Sequence, residues 1–155
     1  MVPTRDDASY WLAAQNGSVF GFGDATVYGS PREHLRAPSV GMAATPSGHG
    51  YWLVAADGGI FGYGDARFYG STGSLRLNSP VIGMSATADG RGYWLVAADG
   101  GIFGDGDARF YGSPSDDTLL RFVGMAVTGT GRGYWITAAN GQVFAYRDAP
   151  HSTMD

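Results

Sequence analysis

A pair of adjacent aromatic residues, tyrosine followed by tryptophan, recurs four times along the chain at an almost constant spacing. The pairs begin at Tyr10, Tyr51, Tyr93 and Tyr134, at intervals of 41, 42 and 41 residues. Periods of about 40 residues are typical of proteins that stack copies of one small unit, because no single unit can bury its own apolar faces. We therefore predict one repeat domain of residues 1–155, with units of approximately 1–30, 31–71, 72–113 and 114–155.

Within each unit the residue pattern indicates strands joined by tight turns. Short apolar segments such as VGMAAT, YWLVAA, GIFGYG and RFYGS are bounded by Gly, Asp, Asn and Ser, and none has the apolar period of an amphipathic helix. An Asn-Gly or Asp-Gly pair follows every Tyr-Trp segment at the same register, as in Asp57-Gly58. Such pairs favour a two-residue hairpin turn with positive φ at both central positions. We predict four strands per unit, with the Asp of each GDA segment at a corner, accepting backbone N–H bonds.

Both alternating sets of residues in YWLVAA are apolar, which predicts a sheet that is covered on both faces. Four-stranded antiparallel sheets of this length, stacked face to face, describe the blades of a β-propeller. The predicted fold is therefore all-β and propeller-like, with the small residues of GMAAT on the inner strand. The four units would close a four-bladed ring or form half of an eight-bladed ring completed by a second chain. A β-trefoil, or another repeat β fold, is the alternative, although a trefoil needs three units.

Composition excludes several classes of function. The chain has 26 Gly, 14% aromatic residues and only 15% charged residues, which is the composition of an ordered protein with many turns. The net charge is −4 and no basic stripe is present, so we expect no nucleic-acid partner. There is no Cys and no apolar run long enough to span a membrane.

No catalytic constellation is visible. The three histidines lie at unrelated registers, and the chain has a single Glu beside Asp residues that mostly occupy turns. The segment GGIFGDGDA superficially matches calcium-binding β-roll repeats, but its fourth position is Phe103 and no neighbouring segment repeats the pattern. We expect no cofactor, no metal site and no enzymatic activity, and a hydrolase remains the less favoured alternative.

The segment GYWLVAADGGIFGYGDARFYGSTG, followed by SPVIGMSATADGRG, resembles the tandem repeat of exported actinobacterial proteins. The resemblance covers residues 10 to about 148. In that family the repeat often lies beside cell-wall hydrolase or peptidase domains. It implies a non-catalytic, β-propeller-like module located outside the cell or at its surface. From its polar start, MVPTRDDASYW, we expect no signal peptide in this sequence.

Three sets of residues are candidates for ligand binding. The tryptophans of the repeats are either core residues or platforms on which sugars stack; they are Trp11, Trp52, Trp94 and Trp135. A second set shares one register, Phe22, Tyr63 and Tyr146, where the third unit has Asp105 instead; we interpret this register as partly exposed in that unit. The third set comprises one Arg from each variable loop, Arg36, Arg76 and Arg121, because binding residues often lie in loops on a rigid scaffold.

The leading hypothesis from these patterns is a cell-surface module that binds glycan or cell-wall polymer through several equivalent shallow sites. Many weak sites on one scaffold gain affinity through avidity. The alternative is a protein-association scaffold that assembles with itself, as a homodimer, into a composite propeller.

Overall fold

The computed structural model describes residues 2–3, 9–31, 35–72, 79–114 and 120–149, and Arg76 lies outside these ranges. Twelve strands and no helix are present in them. The strands are β1 (Val2–Pro3), β2 (Tyr10–Ala13), β3 (Val19–Phe22), β4 (Ser39–Ala44), β5 (Gly50–Ala55), β6 (Ile60–Gly64), β7 (Val81–Ala86), β8 (Gly92–Ala97), β9 (Ile102–Gly106), β10 (Phe122–Val127), β11 (Gly133–Ala138) and β12 (Val143–Arg147).

Each repeat unit forms one antiparallel sheet whose strands are neighbours in chain order. The four sheets are β1-β2-β3, β4-β5-β6, β7-β8-β9 and β10-β11-β12. The strand that carries the Tyr-Trp pair is always central, so that Trp52, for example, lies between Ala43 and Gly62. The predicted all-β repeat architecture is confirmed.

The hairpin after each Tyr-Trp strand is present, but the predicted turn type is wrong. Gly58 has a φ of 89°, whereas among the described residues Arg147 is the only non-glycine with positive φ, so Asp57 is not in that region. The Gly58 N–H donates to the Ala55 carbonyl at 2.9 Å and the Ala55 N–H donates to the Gly59 carbonyl at 2.9 Å. This is the three-residue loop in which one left-handed glycine follows an ordinary turn. The Asp57 carboxylate fixes it by accepting the Gly59 N–H at 3.0 Å.

The fourth segment of each unit, RFYGS in the second, does not form the predicted strand. Residues 66–71 run along the sheet without ladder pairing. Their backbone groups are bonded to side chains instead: the indole of Trp52 donates to the Arg67 carbonyl, and the Tyr69 N–H donates to the hydroxyl of Tyr93 in the next unit. Side-chain partners therefore replace the ladder bonds of a fourth strand.

Apolar contacts between consecutive sheets form three separate cores. On the central strand β5, Tyr51 and Leu53 pack towards the preceding unit, whereas Trp52 and Val54 pack towards the following one. Every residue of β5 and β8 is buried, which confirms the prediction that both faces are covered. The first strands β4, β7 and β10 pack against one another in succession, so they form the inner layer of the stack.

The corner after the third strand is held by side-chain hydroxyls in the first, second and fourth units. The Asp65 carboxylate accepts hydrogen bonds from Thr45, at 2.7 Å, and from Ser47. Asp24 and Asp148 receive the equivalent bonds from hydroxyls of their own units. The corner position of these Asp residues was predicted from the sequence, but their main partners are Ser and Thr side chains, which the sequence pattern did not indicate.

The stack is an open arc. Extensive packing between the described strands runs from β1 to β4, β4 to β7 and β7 to β10, and none joins β10 back to β1. A closed four-bladed ring would cover the outer face of β2 and β3, and that face is exposed. No helix long and apolar enough to cross a membrane occurs in the part of the chain that the structure describes.

Candidate functional site

Three of the four tryptophans are structural and do not offer a platform for sugars. Trp11, Trp52 and Trp94 are at most 1% exposed. Each indole N–H donates to a backbone carbonyl fifteen residues further along the chain, at 2.7–2.8 Å. Of the two interpretations of these residues, the core one is right and the sugar-stacking one is wrong, because neither the ring faces nor the N–H can be reached. Trp135, at the end of the arc, is half-buried.

The tyrosine of each pair joins two units through its hydroxyl. Tyr93 is fully buried, and its O–H donates to the Gly70 carbonyl at 2.6 Å while accepting the Tyr69 N–H at 3.0 Å. Tyr51 and Tyr134 make the same contacts with the Tyr-Gly segments of the units before them. Burial raises the pKa of all three phenols, with the backbone hydrogen bonds acting in the opposite direction. The repeated YGS sequence thus supplies the backbone groups that bind the tyrosine hydroxyl of the next unit.

Tyr63 and Tyr146 belong to the same junctions, whereas Phe22, at the same register of the first unit, is exposed. Tyr63 lies against Gly29 so closely that a Cβ on this glycine would be 2.5 Å from the Tyr63 Cδ1. The ring of Tyr63 packs on Tyr51 with centroids 6.0 Å apart, and Tyr146 packs on Tyr134 in the same way at 5.6 Å. Tyr63 and Tyr146 therefore seal contacts between units and do not present a ligand platform.

Asp105 replaces an aromatic ring in the junction between the second and third units. Its carboxylate faces Gly70, where a Cβ would be 2.7 Å from Oδ1, and its buried Oδ2 has no hydrogen-bond partner among the described residues. Burial raises the pKa of this carboxyl. The side chain is half-buried, as the sequence comparison of the units predicted. Asp105 thus places a carboxylate at a register where Tyr63 and Tyr146 make apolar contacts in the other junctions.

The two loop arginines that the structure describes lie at the same end of the sheets. Arg36 and Arg121 are exposed and precede the first strands of their units, close to the tight turn that follows the central strand. Arg36 lines a shallow cleft of about 460 Å³ with Asn16 and Leu35. Among the described residues no acidic or aromatic group lines this cleft, and a binding role for these arginines stays a prediction.

At the corner of the third unit the carboxyl groups of Asp89 and Asp107 interact. Asp89 stands where the second unit has Ser47, and its pKa is lowered to about 2, first by the hydrogen bond from the Asp107 side chain. The pKa of Asp107 is raised, first by burial and then by the bond to Asp89. The described residues contain no group of three or more side chains that could hold a metal ion.

One end of the arc exposes an apolar sheet face, which we call the Tyr10 face. It consists of Tyr10, Leu12, Phe20 and Phe22, which pair across β2 and β3 and are 37–51% exposed. The rings of Tyr10 and Phe22 stack on each other at 5.0 Å. The equivalent side chains of β5, β8 and β11 are fully buried against a preceding unit. This face was not singled out from the sequence, although the repeat alignment contains the signal.

The other end of the arc presents the surface that normally receives such a face. It carries Trp135 and Thr137 on β11, both half-buried, and Val123 on β10, which is exposed. In the second unit the corresponding residues are Trp52, Val54 and Val40, which pack under the third unit. The two ends of the arc are therefore different surfaces with matching registers.

Exposed aromatic rings also recur on the outer rim. Phe68 and Phe110 follow the corners of the second and third units and are 64% and 61% exposed. The first unit has Val27 at this register, also exposed. These rings were not among the candidates taken from the sequence, because RFYGS was interpreted as a strand.

Comparison with known proteins identifies the fold. No family model matches the chain, and no curated protein matches it. The structure is similar to the β-propeller domain of Cps50 (Swd1) from Myceliophteria thermophila, with a TM-score of 0.64 and 9% sequence identity. The match covers 92% of this chain and 49% of that one, so this chain spans about half the length of that propeller. The β-propeller-like fold predicted from the repeats is confirmed.

Proposed function

We propose that the chain is a protein-association module, a half-propeller that completes its ring by packing end to end against a second copy. The observation that carries the proposal is the exposed Tyr10 face. Side chains at its registers are covered by a preceding unit in all three junctions within the chain. At the far end of the same arc Val123 is exposed, at the register where Val40 packs under the following unit.

Two copies arranged head to tail would form two identical junctions and leave no open face. Covering a half-exposed aromatic or leucine side chain contributes roughly 1 kcal/mol, so four such side chains supply several kcal/mol per junction. Because a two-fold ring forms both junctions at once, these contributions add. The 49% coverage of a propeller domain supports a half-ring as the size of one chain.

The junction between copies would be weaker than those within the chain. At the registers of Tyr69 and Gly70 the fourth unit has Ser152 and Thr153, which lie outside the described residues. The glycines at this register have φ of 134–148°, a region that threonine rarely adopts. We therefore expect an assembly that dissociates on dilution while each arc stays folded.

The mass in solution tests this proposal. We expect a species of twice the 16.3 kDa chain mass by sedimentation or light scattering, which dissociates on dilution. The variant Phe22→Asp places on the open face the residue that the third unit has at this register, and should give a folded monomer. Phe110→Ala, on the outer rim, is the matched control and should leave the mass unchanged. A wild-type chain that is monomeric at all concentrations would contradict the proposal.

We propose glycan binding at a cell surface as a second function, supported by the exposed rings of Phe68 and Phe110. Flat aromatic faces at equivalent registers suit repeated weak stacking of sugar rings. The resemblance to exported actinobacterial repeats supports a location outside the cell and a module without catalysis. Retention on purified cell wall should fall in the double variant Phe68→Ala/Phe110→Ala and persist in Phe22→Asp. Equal retention of both variants, or none by the wild type, would refute it.

A further inference from the structure

A groove at the junction of the third and fourth units gathers three guanidinium groups. It has a volume of about 770 Å³ and is lined by Arg109, Tyr111, Arg132, Arg147 and Asp148. The chain as a whole carries a net charge of −4, with ten basic residues. Three of these ten therefore line one cleft of an acidic protein, next to a single carboxylate.

None of the three arginines is held by an ion pair within the described part of the chain. Asp148, the one acid of the groove, accepts hydrogen bonds from the hydroxyls of Thr128, at 2.9 Å, and Thr130. These hydroxyls hold the carboxylate at the corner of its own unit, and the three guanidinium groups outweigh its single negative charge. A net positive charge therefore remains in the groove, and a concave site focuses that charge on a ligand.

The preceding junction has the same architecture but not the same charge. Its groove, of about 390 Å³, contains Arg67 and Arg91 at the registers of Arg109 and Arg132. Two carboxylates, Asp65 and Asp89, line it as well, so its formal charges cancel. In the fourth unit threonine replaces Asp89, and an arginine is added where the third unit has glycine. Both differences make the later groove more positive.

The added arginine occupies a strained backbone position. Arg147 has a φ of 59°, and the residues at its register in the other units are Gly23, Gly64 and Gly106, with φ of 68–73°. A non-glycine residue in this region costs on the order of 1 kcal/mol or more. Its guanidinium carbon lies 5.6 Å from the ring centroid of Tyr111, which orients it over the groove. Tyr111 is fixed in turn, since its N–H donates to the Tyr134 hydroxyl and its O–H to the Gly131 carbonyl.

We propose that this groove is a binding site for an oxyanion of more than one charge, a phosphate or carboxylate group of a ligand. Guanidinium groups bind both anions through paired, charge-assisted hydrogen bonds. The site lies within one chain and does not depend on the assembly of two copies.

Titration calorimetry with pyrophosphate and with citrate, at low ionic strength, tests the site and separates the two ligand chemistries. We expect saturable binding of at least one, weakening as salt is added. The variant Arg147→Gly restores the residue of the other three units and relieves the backbone strain. It should unfold at the same temperature as the wild type or higher, yet bind about tenfold or more weakly.

Two further variants exclude a general effect of charge. Arg109→Gln should weaken binding similarly, because it lines the groove. Arg67→Gln removes one charge at the same register of the neutral groove and should leave the affinity unchanged. Absence of saturable binding of both anions, or wild-type affinity in Arg147→Gly, would overturn the assignment.

Discussion

Replacing Asp105 by tyrosine should stabilise the protein. The carboxylate occupies a register at which Tyr63 and Tyr146 pack across their own junctions, and its buried Oδ2 has no hydrogen-bond partner among the described residues. Gly70 leaves the space beside it, as Gly29 does beside Tyr63. A tyrosine at position 105 would therefore enter a site that the chain already builds elsewhere.

The expected gain is about 2 kcal/mol in the free energy of unfolding. An aromatic pair with Tyr93, like that of Tyr63 with Tyr51, contributes roughly 1 kcal/mol. Removing a buried polar atom without a partner contributes about 1 kcal/mol more, at the low end of the range because Asp105 is only half-buried. For a domain of this size the melting temperature should rise by roughly 4–8 °C. Thermal and urea unfolding followed by tryptophan fluorescence would measure both quantities.

The pH dependence of stability gives a second, independent readout. Burial raises the pKa of Asp105 above its ordinary value of 3.8, so the folded state binds this proton more tightly than the unfolded state. The destabilisation caused by the charged carboxylate is complete above the pKa of the folded state. It disappears as pH falls to the pKa of the unfolded state. The variant Asp105→Asn keeps the size of the side chain but removes the titration. The free energy of unfolding of the wild type, relative to that of Asp105→Asn, should therefore fall as pH rises from about 4 to neutral.

Two results would refute this reasoning. One is an Asp105→Tyr protein that unfolds at or below the wild-type temperature at neutral pH. The other is a difference between wild type and Asp105→Asn that does not change with pH. The reverse substitution, Tyr63→Asp, is the matched control and should destabilise the preceding junction.

Two other predictions concern the junction hydroxyls and the carboxyl pair of Asp89 and Asp107. Tyr93→Phe leaves two buried backbone groups unpaired and should lower the free energy of unfolding by about 3 kcal/mol, or the melting temperature by roughly 6–12 °C. Tyr10→Phe, on the open face, is the control and should cost little. Equal losses of stability in the two variants would contradict the role of the hydroxyl. Asp89→Thr, which copies the fourth unit, should lower the pKa of Asp107 in a carbon-13 NMR titration, and an unchanged pKa would show that the two carboxyls do not interact.

The repeat period made most of the fold predictable. A spacing of about 41 residues, apolar central strands and a glycine turn at a fixed register were sufficient to predict stacked antiparallel sheets. The turn type was wrong because a pair such as Asp57-Gly58 suits both a two-residue loop, with positive φ at both residues, and a three-residue loop, with positive φ at the glycine alone. RFYGS was interpreted as a strand because its residues favour strands, whereas its backbone bonds go to side chains of Trp52 and Tyr93.

The candidate sites were less predictable because exposure depends on neighbours that a single unit does not reveal. Trp52 and Trp94 have the residue type of a sugar platform, but the following unit buries them. Phe22 and Tyr63 share a register and differ in surroundings, since the first has no described unit before it. The arginine groove assembles residues from two units and two corners. Its one visible signal was Arg147, standing where three other units have glycine.

The tyrosine junctions also set the order in which the units can pack during synthesis. Each phenol is bonded by a Tyr-Gly segment that lies twenty-two to twenty-four residues earlier in the chain. During synthesis that segment emerges first, so every new unit meets a receptor that has already been made. Domains are synthesised at roughly 5–20 residues per second, which separates the emergence of successive units by a few seconds. The arc can therefore lengthen from its N-terminal end one completed junction at a time, and a truncated chain loses only the junctions not yet made.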